Sequence, residues 1–210
     1  MIIKAIRYMK VICSNNLGRE IMIEGKNVII RQLELGDEEY LHKWWNDGNM
    51  MSHSTHVFGT LQSKEAIRKS IMREIENNKM FPEGKRFLIC KKENMEAIGE
   101  MNYVDWSARN QSCEFGIKIC EVSEQGKNYG KDALYHFIDF LFRFLNLNKV
   151  ELTTMVDNKR AHALYEKLGF KEIGVAREAC FDSRTGKFED VLYMDLLKRE
   201  WLLAKDKIEQ

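Results

Sequence analysis

The sequence predicts an α+β fold, a single layered domain with helices packed on one mixed sheet. Two observations carry this reading. Strand-like runs in the middle of the chain are joined by short polar turns, as in antiparallel hairpins, whereas later strands are joined through helices. The chain has 210 residues, 44% apolar and 31% charged, with one proline and no Pro/Gly/Ser linker to divide it. That length suits one domain with a sizeable core.

The elements follow in order. Met22 opens a strand pattern, and residues 26–33 (Asn27-Val-Ile-Ile-Arg-Gln-Leu) read as a strand. Residues 36–47 form an amphipathic helix with Tyr40, Leu41, Trp44 and Trp45 on one side. A second helix spans 63–78, with Ser63 as N-cap and Ala66, Ile67, Ser70, Ile71 and Ile75 at helical spacing. Strands at 86–91, 97–106 and 112–120 are separated by the turn signals Lys92-Glu-Asn-Met and Ser107-Ala-Arg-Asn-Gln. A long helix covers 129–145, then a strand 149–156, a helix 159–168 closed by Gly169, and strands 170–179 and 187–196. A short polar helix ends the chain. The expected division is a basic extension of unassigned role at 1–21, a domain at 22–197, and a polar tail at 198–210.

Charge and composition exclude several classes. Lys+Arg total 33 against 32 Asp+Glu, a formal charge of +1. This argues against a nucleic-acid backbone or an anionic membrane as the main partner. Residues 1–21 carry Lys4, Arg7, Lys10 and Arg19 against Glu20, a net of +3, so the remainder sums to −2. The stretch does not read as a signal peptide, because Ser14, Asn15 and Asn16 interrupt its uncharged part. No run of about 18 apolar residues is present. Five cysteines (Cys13, Cys90, Cys113, Cys120, Cys180) make no CxxC pair, which reads as reduced thiols in the cytoplasm. Cys90, Cys113 and Cys120 sit in apolar strand runs and are expected in the core. The five histidines have no spacing that implies a metal. The acidic cluster Glu34, Asp37, Glu38 and Glu39 reads as a solvated helix start. Phe137, Phe140, Leu141, Phe142 and Phe144 read as core packing and a dimer surface.

Chemistry concentrates between residues 113 and 170. A strand, Cys113-Glu-Phe-Gly-Ile-Lys-Ile-Cys, leads through a polar loop to Gln125-Gly-Lys-Asn-Tyr-Gly-Lys at the start of the long helix. A glycine-containing loop at a helix N-terminus collects unpaired N–H groups and suits phosphate oxygens. It is not a Walker loop, which would need Gly at 125 and Ser or Thr at 132, where Gln125 and Asp132 stand; GxGxxG is also absent. A nucleoside triphosphatase or dinucleotide dehydrogenase is therefore disfavoured. Further on comes Val156-Asp-Asn-Lys-Arg-Ala-His-Ala-Leu-Tyr-Glu-Lys-Leu-Gly-Phe. Asn158 can cap this helix, and Ala161, Leu164, Tyr165 and Leu168 share a face. Taken alone, that is a core-facing helix whose tyrosine packs.

Together the two segments resemble the GNAT superfamily of acyl-CoA-dependent N-acetyltransferases, over residues 22 to about 197. The Lys43-Trp-Trp-Asn-Asp-Gly stretch and the Gly186-Lys-Phe-Glu-Asp-Val-Leu-Tyr-Met hairpin are similar to its branch of spermidine and ribosomal-protein N-terminal acetyltransferases. The family's phosphate loop reads here Gln125, Gly126, Lys127, Asn128, Tyr129, Gly130, with Asn128 where glycine is usual. Asn tolerates left-handed backbone and is a strong N-cap, so the loop can survive the change.

The resemblance implies a central mixed, mostly antiparallel sheet flanked by helices, with a splayed parallel strand pair holding acetyl-CoA as co-substrate and no metal. Backbone around Ile117, Lys118 and Ile119 would pair with the pantetheine amides and stabilise an oxyanion. Residues Gln125 to Lys131 would hold the pyrophosphate, Asn158 the pantetheine arm, and Tyr165 would protonate the departing thiolate. Glu114 is the candidate base, or an attractor of a cationic substrate; its plain alternative is a salt-bridged strand glutamate. His53 and His56 would border the acceptor pocket, with Trp44 and Trp45 as core and pocket wall. The partner implied is a primary amine (polyamine, peptide N-terminus, amino sugar or aminoglycoside), and a homodimer is common in the family. Two alternatives remain, a non-catalytic acyl-CoA binder or sensor and a protein-interaction module using the basic leader and the aromatic helix.

Overall fold

The computed structural model describes residues 22–51, 58–77, 79 and 82–208. The basic stretch 1–21, Cys13, His53 and His56 lie outside the described residues. An eight-stranded sheet runs in the order β1-β2-β3-β4-β5-β6-β8-β7. β2 (Val28–Gln32) is the strand expected over 26–33, and β1 (Met22–Glu24) pairs with it as a first hairpin. The chain reverses at Gly25, whose N–H donates to Val28 O at 2.8 Å. The Asp132 carboxylate also holds this turn, accepting from the N–H groups of Lys26 (3.0 Å) and Asn27 (2.7 Å).

Helix α1 (Glu38–Trp45) is followed by a one-turn helix, α2 (Gly48–Met51), which the pattern did not predict. Asp47 Oδ1 starts that turn by accepting from Asn49 N at 2.8 Å and Met50 N at 3.3 Å. Of the acidic cluster before and in α1, Glu34 and Glu39 are exposed as expected, but two members are not solvated. Asp37 and Glu38 are buried. Asp37 takes a two-pronged bond from Arg31 at 2.8 Å, and Glu38 accepts from Gly36 N at 2.7 Å, so the loop before α1 is tied to β2. Helix α3 (Lys64–Ile75) begins where Ser63 Oγ accepts from Ala66 N at 3.2 Å.

Strands β3 (Lys85–Lys91), β4 (Ala97–Ser107) and β5 (Ser112–Ile119) form the expected antiparallel hairpins. Then come α4 (Tyr129–Arg143), β6 (Lys149–Met155), α5 (Lys159–Lys167), β7 (Lys171–Asp182), β8 (Lys187–Leu197) and α6 (Lys198–Ile208). β8 enters between β6 and β7, leaving β7 at the sheet edge. The ending is less polar than expected: Trp201 of α6 is fully buried and donates to Asp139 Oδ1 at 3.1 Å. No helix among the described residues is long and apolar enough to cross a membrane.

Two apolar clusters hold the layers together. The larger lies under α4, where Phe137 meets Phe87 edge-on at 5.5 Å and also faces Phe115. The smaller lies under α1 and α3, where Leu41, Trp44, Ile67 and Ile71 cover Leu88 and Cys90. Each such buried side chain contributes about 1.5–3 kcal/mol. Cys90, Cys113 and Cys120 are buried as expected, and burial raises each thiol pKa, so they stay protonated. Phe137, Phe140, Leu141 and Phe142 are core residues, while Phe144 is half exposed and stacks on Phe140 at 5.1 Å.

One junction positions the site. β5 and β6 pair in parallel for three residues, Ser112↔Lys149, Cys113↔Val150 and Glu114↔Glu151, and then part. Beyond Glu114, β5 continues along β4 as far as Ile119, and β6 continues along β8 as far as Met155. The resulting opening is the splayed strand pair that the sequence led us to expect.

Candidate active site

A cleft passes through this opening and has two lobes. One, of about 650 Å³, lies against the start of α4 and is lined by Gln125, Gly126, Asn128, Gly130 and Lys131. The other, of about 630 Å³, opens on the face of α1 and includes Trp45, Arg86, Glu100 and Tyr193 in its lining. Ile117, Lys118, Asn158, Ala161 and Tyr165 line both.

The first lobe is built from backbone. Gly126 has φ +81° and Asn128 φ +68°, so the loop turns twice through left-handed conformations before α4 begins. Asn128 takes the left-handed conformation it tolerates, but its side chain makes no cap bond. Asp132 N makes the first helical bond, to Asn128 O at 3.0 Å, which leaves the N–H groups of residues 129–131 without a helical acceptor at this end. Gln125 Nε2 donates to Ile119 O at 2.9 Å and ties the loop to the end of β5. Gly130 exposes the helix start, since a Cβ there would come no nearer than 3.6 Å to Ile119. Lys131 and Arg160 add positive charge to the lining. Such an end suits phosphate oxygens. Lys127 and Tyr129 do not line the lobe: Lys127 pairs with Glu124 at 3.1 Å, and Tyr129 packs against the main core.

At the junction, Asn158 Oδ1 accepts from Ala161 N at 3.2 Å and caps α5, leaving its amide N–H₂ free to donate into the cleft. Tyr165 sits about two turns further on. Its ring lies edge-on to Phe115 (6.5 Å, 83°) and to Phe170 (5.8 Å, 62°), and it is 8% exposed. Burial pushes its phenol up to about 12. The hydroxyl therefore remains a proton donor throughout the neutral and mildly basic range.

The second lobe is built from side chains. Trp45 Nε1 donates to both oxygens of Glu100 at 2.9 Å, and Lys118 Nζ lies 3.1 Å from Glu100 Oε1. Arg86 is held by Glu74 at 2.8 Å and stands 5.6 Å from the Trp45 ring centroid. Asn102 Oδ1 accepts from Gly116 N at 2.9 Å. Trp44, the neighbour of Trp45, is a core residue that donates to Glu121 at 2.8 Å. Glu114 is placed elsewhere: it accepts from Thr153 Oγ1 at 2.9 Å, beside the last β5–β6 pair, and lines neither lobe. Glu100, Asn102 and Arg86 were not found by sequence reasoning. A signal did exist, because Glu100 and Asn102 are alternate polar positions in the otherwise apolar run from Ala97 to Val104. The only cluster of metal-ligating type among the described residues, His162 with Glu166 and Glu172, lies outside the cleft, with His162 Nε2 2.7 Å from Glu172.

A splayed parallel pair, a helix start suited to phosphate oxygens and a buried tyrosine lining two lobes fit an acyl-CoA-dependent transferase class. A family model described as Acetyltransferase (GNAT) domain matches residues 27–171. The chain belongs to this family of acetyl-CoA-dependent N-acetyltransferases. It is 28% identical over 173 residues to the spermidine N(1)-acetyltransferase of Vibrio cholerae serotype O1, covering 82% of this chain and 94% of that one. It is 36% identical over 92 residues to the putative ribosomal N-acetyltransferase YdaF of Bacillus subtilis, covering 44% and 49%. The crystal structure of the Vibrio cholerae spermidine N-acetyltransferase in complex with CoA and spermine superposes with a TM-score of 0.74 at 28% identity, covering 84% of this chain and 98% of that one.

Proposed function

We propose that the chain moves an acetyl group from acetyl-CoA to a primary amine by direct attack of the amine on the thioester. One observation carries the proposal: the two lobes share Ile117, Lys118, Asn158, Ala161 and Tyr165 in their linings. In this reading, the loop from Gln125 to Lys131 binds the pyrophosphate. The β5 backbone at residues 117–119 pairs with the pantetheine arm, and Asn158 donates to it. An acetyl group so placed faces the second lobe across the parted strands. The neutral amine attacks the carbonyl carbon, a β5 N–H steadies the oxyanion, and the C–S bond breaks as Tyr165 gives its proton to sulfur; the proton left on nitrogen passes through water to the resulting phenolate, which restores the tyrosine. No covalent enzyme intermediate is needed, since holding both reactants in one cleft supplies the main advantage. Relatives named for spermidine make polyamines the first acceptors to test.

The test is release of CoA thiol from acetyl-CoA with a panel of primary amines. Tyr165→Phe is expected to lower kcat about 100-fold while acetyl-CoA affinity stays unchanged. The wild-type rate should rise with pH as the amine, pKa about 10, loses its proton. Because the Tyr165 phenol is held up to about 12, its donor form persists below that value, and no falling limb is expected below pH 10. An unchanged kcat in Tyr165→Phe removes the residue from the mechanism. Tight acetyl-CoA binding without thiol release for any amine would make the protein a binder.

A further inference from the structure

Away from the cleft, α5 and β7 bring three side chains of metal-ligating type together. His162 and Glu166 lie one turn apart on α5 and share a face, and Glu172 is the second residue of β7. One ligand atom from each lies within 4.8 Å of the others. His162 Nε2 stands 2.7 Å from Glu172 Oε1 and 4.0 Å from Glu166 Oε1. This nitrogen is shielded from water and has no hydrogen-bond partner, so the 2.7 Å contact is not an aligned bond. A buried nitrogen without a bond costs free energy, and an ion shared with the two carboxylates would recover it. Lys171, beside Glu172 in sequence, is paired with Glu200 at 2.5 Å.

The spacing fits a cation. Ligand atoms about 2.0–2.2 Å from a tetrahedral zinc ion stand about 3.3 Å from one another. The two distances from Nε2, 2.7 and 4.0 Å, bracket that value. The adjustment falls on glutamate side chains that are 58% and 53% exposed, whereas His162 is 22% exposed. One imidazole and two carboxylates, without a thiolate, suit a divalent transition ion such as zinc; Mg²⁺ and Ca²⁺ prefer oxygen alone. Histidine spacing along the chain does not reveal the cluster, because two of its three members are glutamates and one comes from β7.

We propose that His162, Glu166 and Glu172 bind one zinc-type divalent cation, with water completing its shell, and that the ion clips α5 to β7. The site is structural and takes no part in acetyl transfer, since none of the three residues lines either lobe. It acts on the helix whose other residues, Asn158 at the cap and Tyr165, line the cleft.

The experiment titrates the chelator-treated full chain with ZnCl2 by calorimetry. Glu166→Gln and Glu172→Gln, at half-exposed positions that keep the fold, and His162→Ala should each weaken zinc binding about 10- to 100-fold. His136→Ala, whose imidazole pairs with Asp132 at 3.4 Å, is the control and should bind zinc like wild type. Saturating zinc should raise the wild-type melting temperature by about 5 °C and slow amide exchange over residues 159–172, and Glu172→Gln should show neither change. Co²⁺ in place of zinc should give no thiolate charge-transfer band, which separates the cluster from the cysteines. Equal zinc affinity in wild type and the three variants, a preference for Mg²⁺, or a thiolate band each overturns the proposal. Thiol release from acetyl-CoA should persist in EDTA; a rate that requires zinc would put the ion in the reaction and overturn the clip. The binding, melting and exchange readouts do not depend on the transferase reading.

Discussion

The two lobes of the cleft are made in opposite ways. The proposed cofactor side is a short contiguous loop that offers backbone, with left-handed turns at Gly126 and Asn128 and N–H groups without helical acceptors at the start of α4. The proposed acceptor side gathers residues from α1, β3, β4, β5, β6, α5, β7 and β8, widely separated in sequence. Backbone recognition needs a chain conformation, and conformation leaves a local signature in glycines and caps. Side-chain recognition needs only that distant strands meet, and leaves no such signature.

The contrast can be broken at one position that serves both lobes. A Cβ on Gly99 would fall 2.3 Å from Lys118 O, a backbone atom that cannot move without shifting β5. Gly99→Ala is expected to cost about 3 kcal/mol or more, visible as a large fall in melting temperature and loss of both ligand affinities. A variant that melts like wild type would contradict the β4–β5 spacing.

Asp132 tests the cofactor side alone. Burial pushes its carboxyl up, but bonds from His136 and from the N–H groups of Asn27 and Lys26 reverse this and leave its pKa lowered. Asp132→Ala should destabilise by about 1–2 kcal/mol at pH 7 and loosen the β1–β2 turn from α4. A carboxylate with lowered folded pKa stabilises above its unfolded pKa, about 3.9, and that contribution is lost as pH falls through the folded value. The difference between variant and wild type in melting temperature should therefore shrink below about pH 4. The smallest effect is expected for Lys127→Ala, because an exposed pair such as Lys127–Glu124 contributes about 0–1 kcal/mol. Acetyl-CoA affinity should change by less than about 3-fold, and a larger loss would place Lys127 among the phosphate ligands.

Legibility in the sequence follows the same physical line. The α4 loop and the α5 segment from Asn158 to Gly169 were readable because capping, positive φ and helical spacing are all local. The hairpins β3–β4–β5 were readable from their turns. The first hairpin was missed because its turn is fixed by Asp132, more than a hundred residues away. The burial of Asp37 was missed for a like reason: its partner Arg31 meets it only once β2 and the start of α1 are side by side. Glu100 gave one hint, a charge in an otherwise apolar run, but its setting depends on Trp45 arriving from α1 and Lys118 from β5. Glu114 sits in the readable motif, yet it faces Thr153 rather than the cleft.

The placement of β8 between β6 and β7 sets an order of assembly. Among the described strands, β6 has only a three-residue parallel contact with β5 until residues 187–197 arrive to pair along its length. During synthesis the phosphate loop and α5 emerge well before that strand. The acceptor wall formed by Cys180 and Tyr193 closes only after the final hairpin inserts. Long-range insertion of this kind is slow compared with hairpin formation. A chain ending near residue 170 would thus hold the α4 loop and α5 without Cys180 and Tyr193 of the second lobe, and the complete cleft would be the last feature to form.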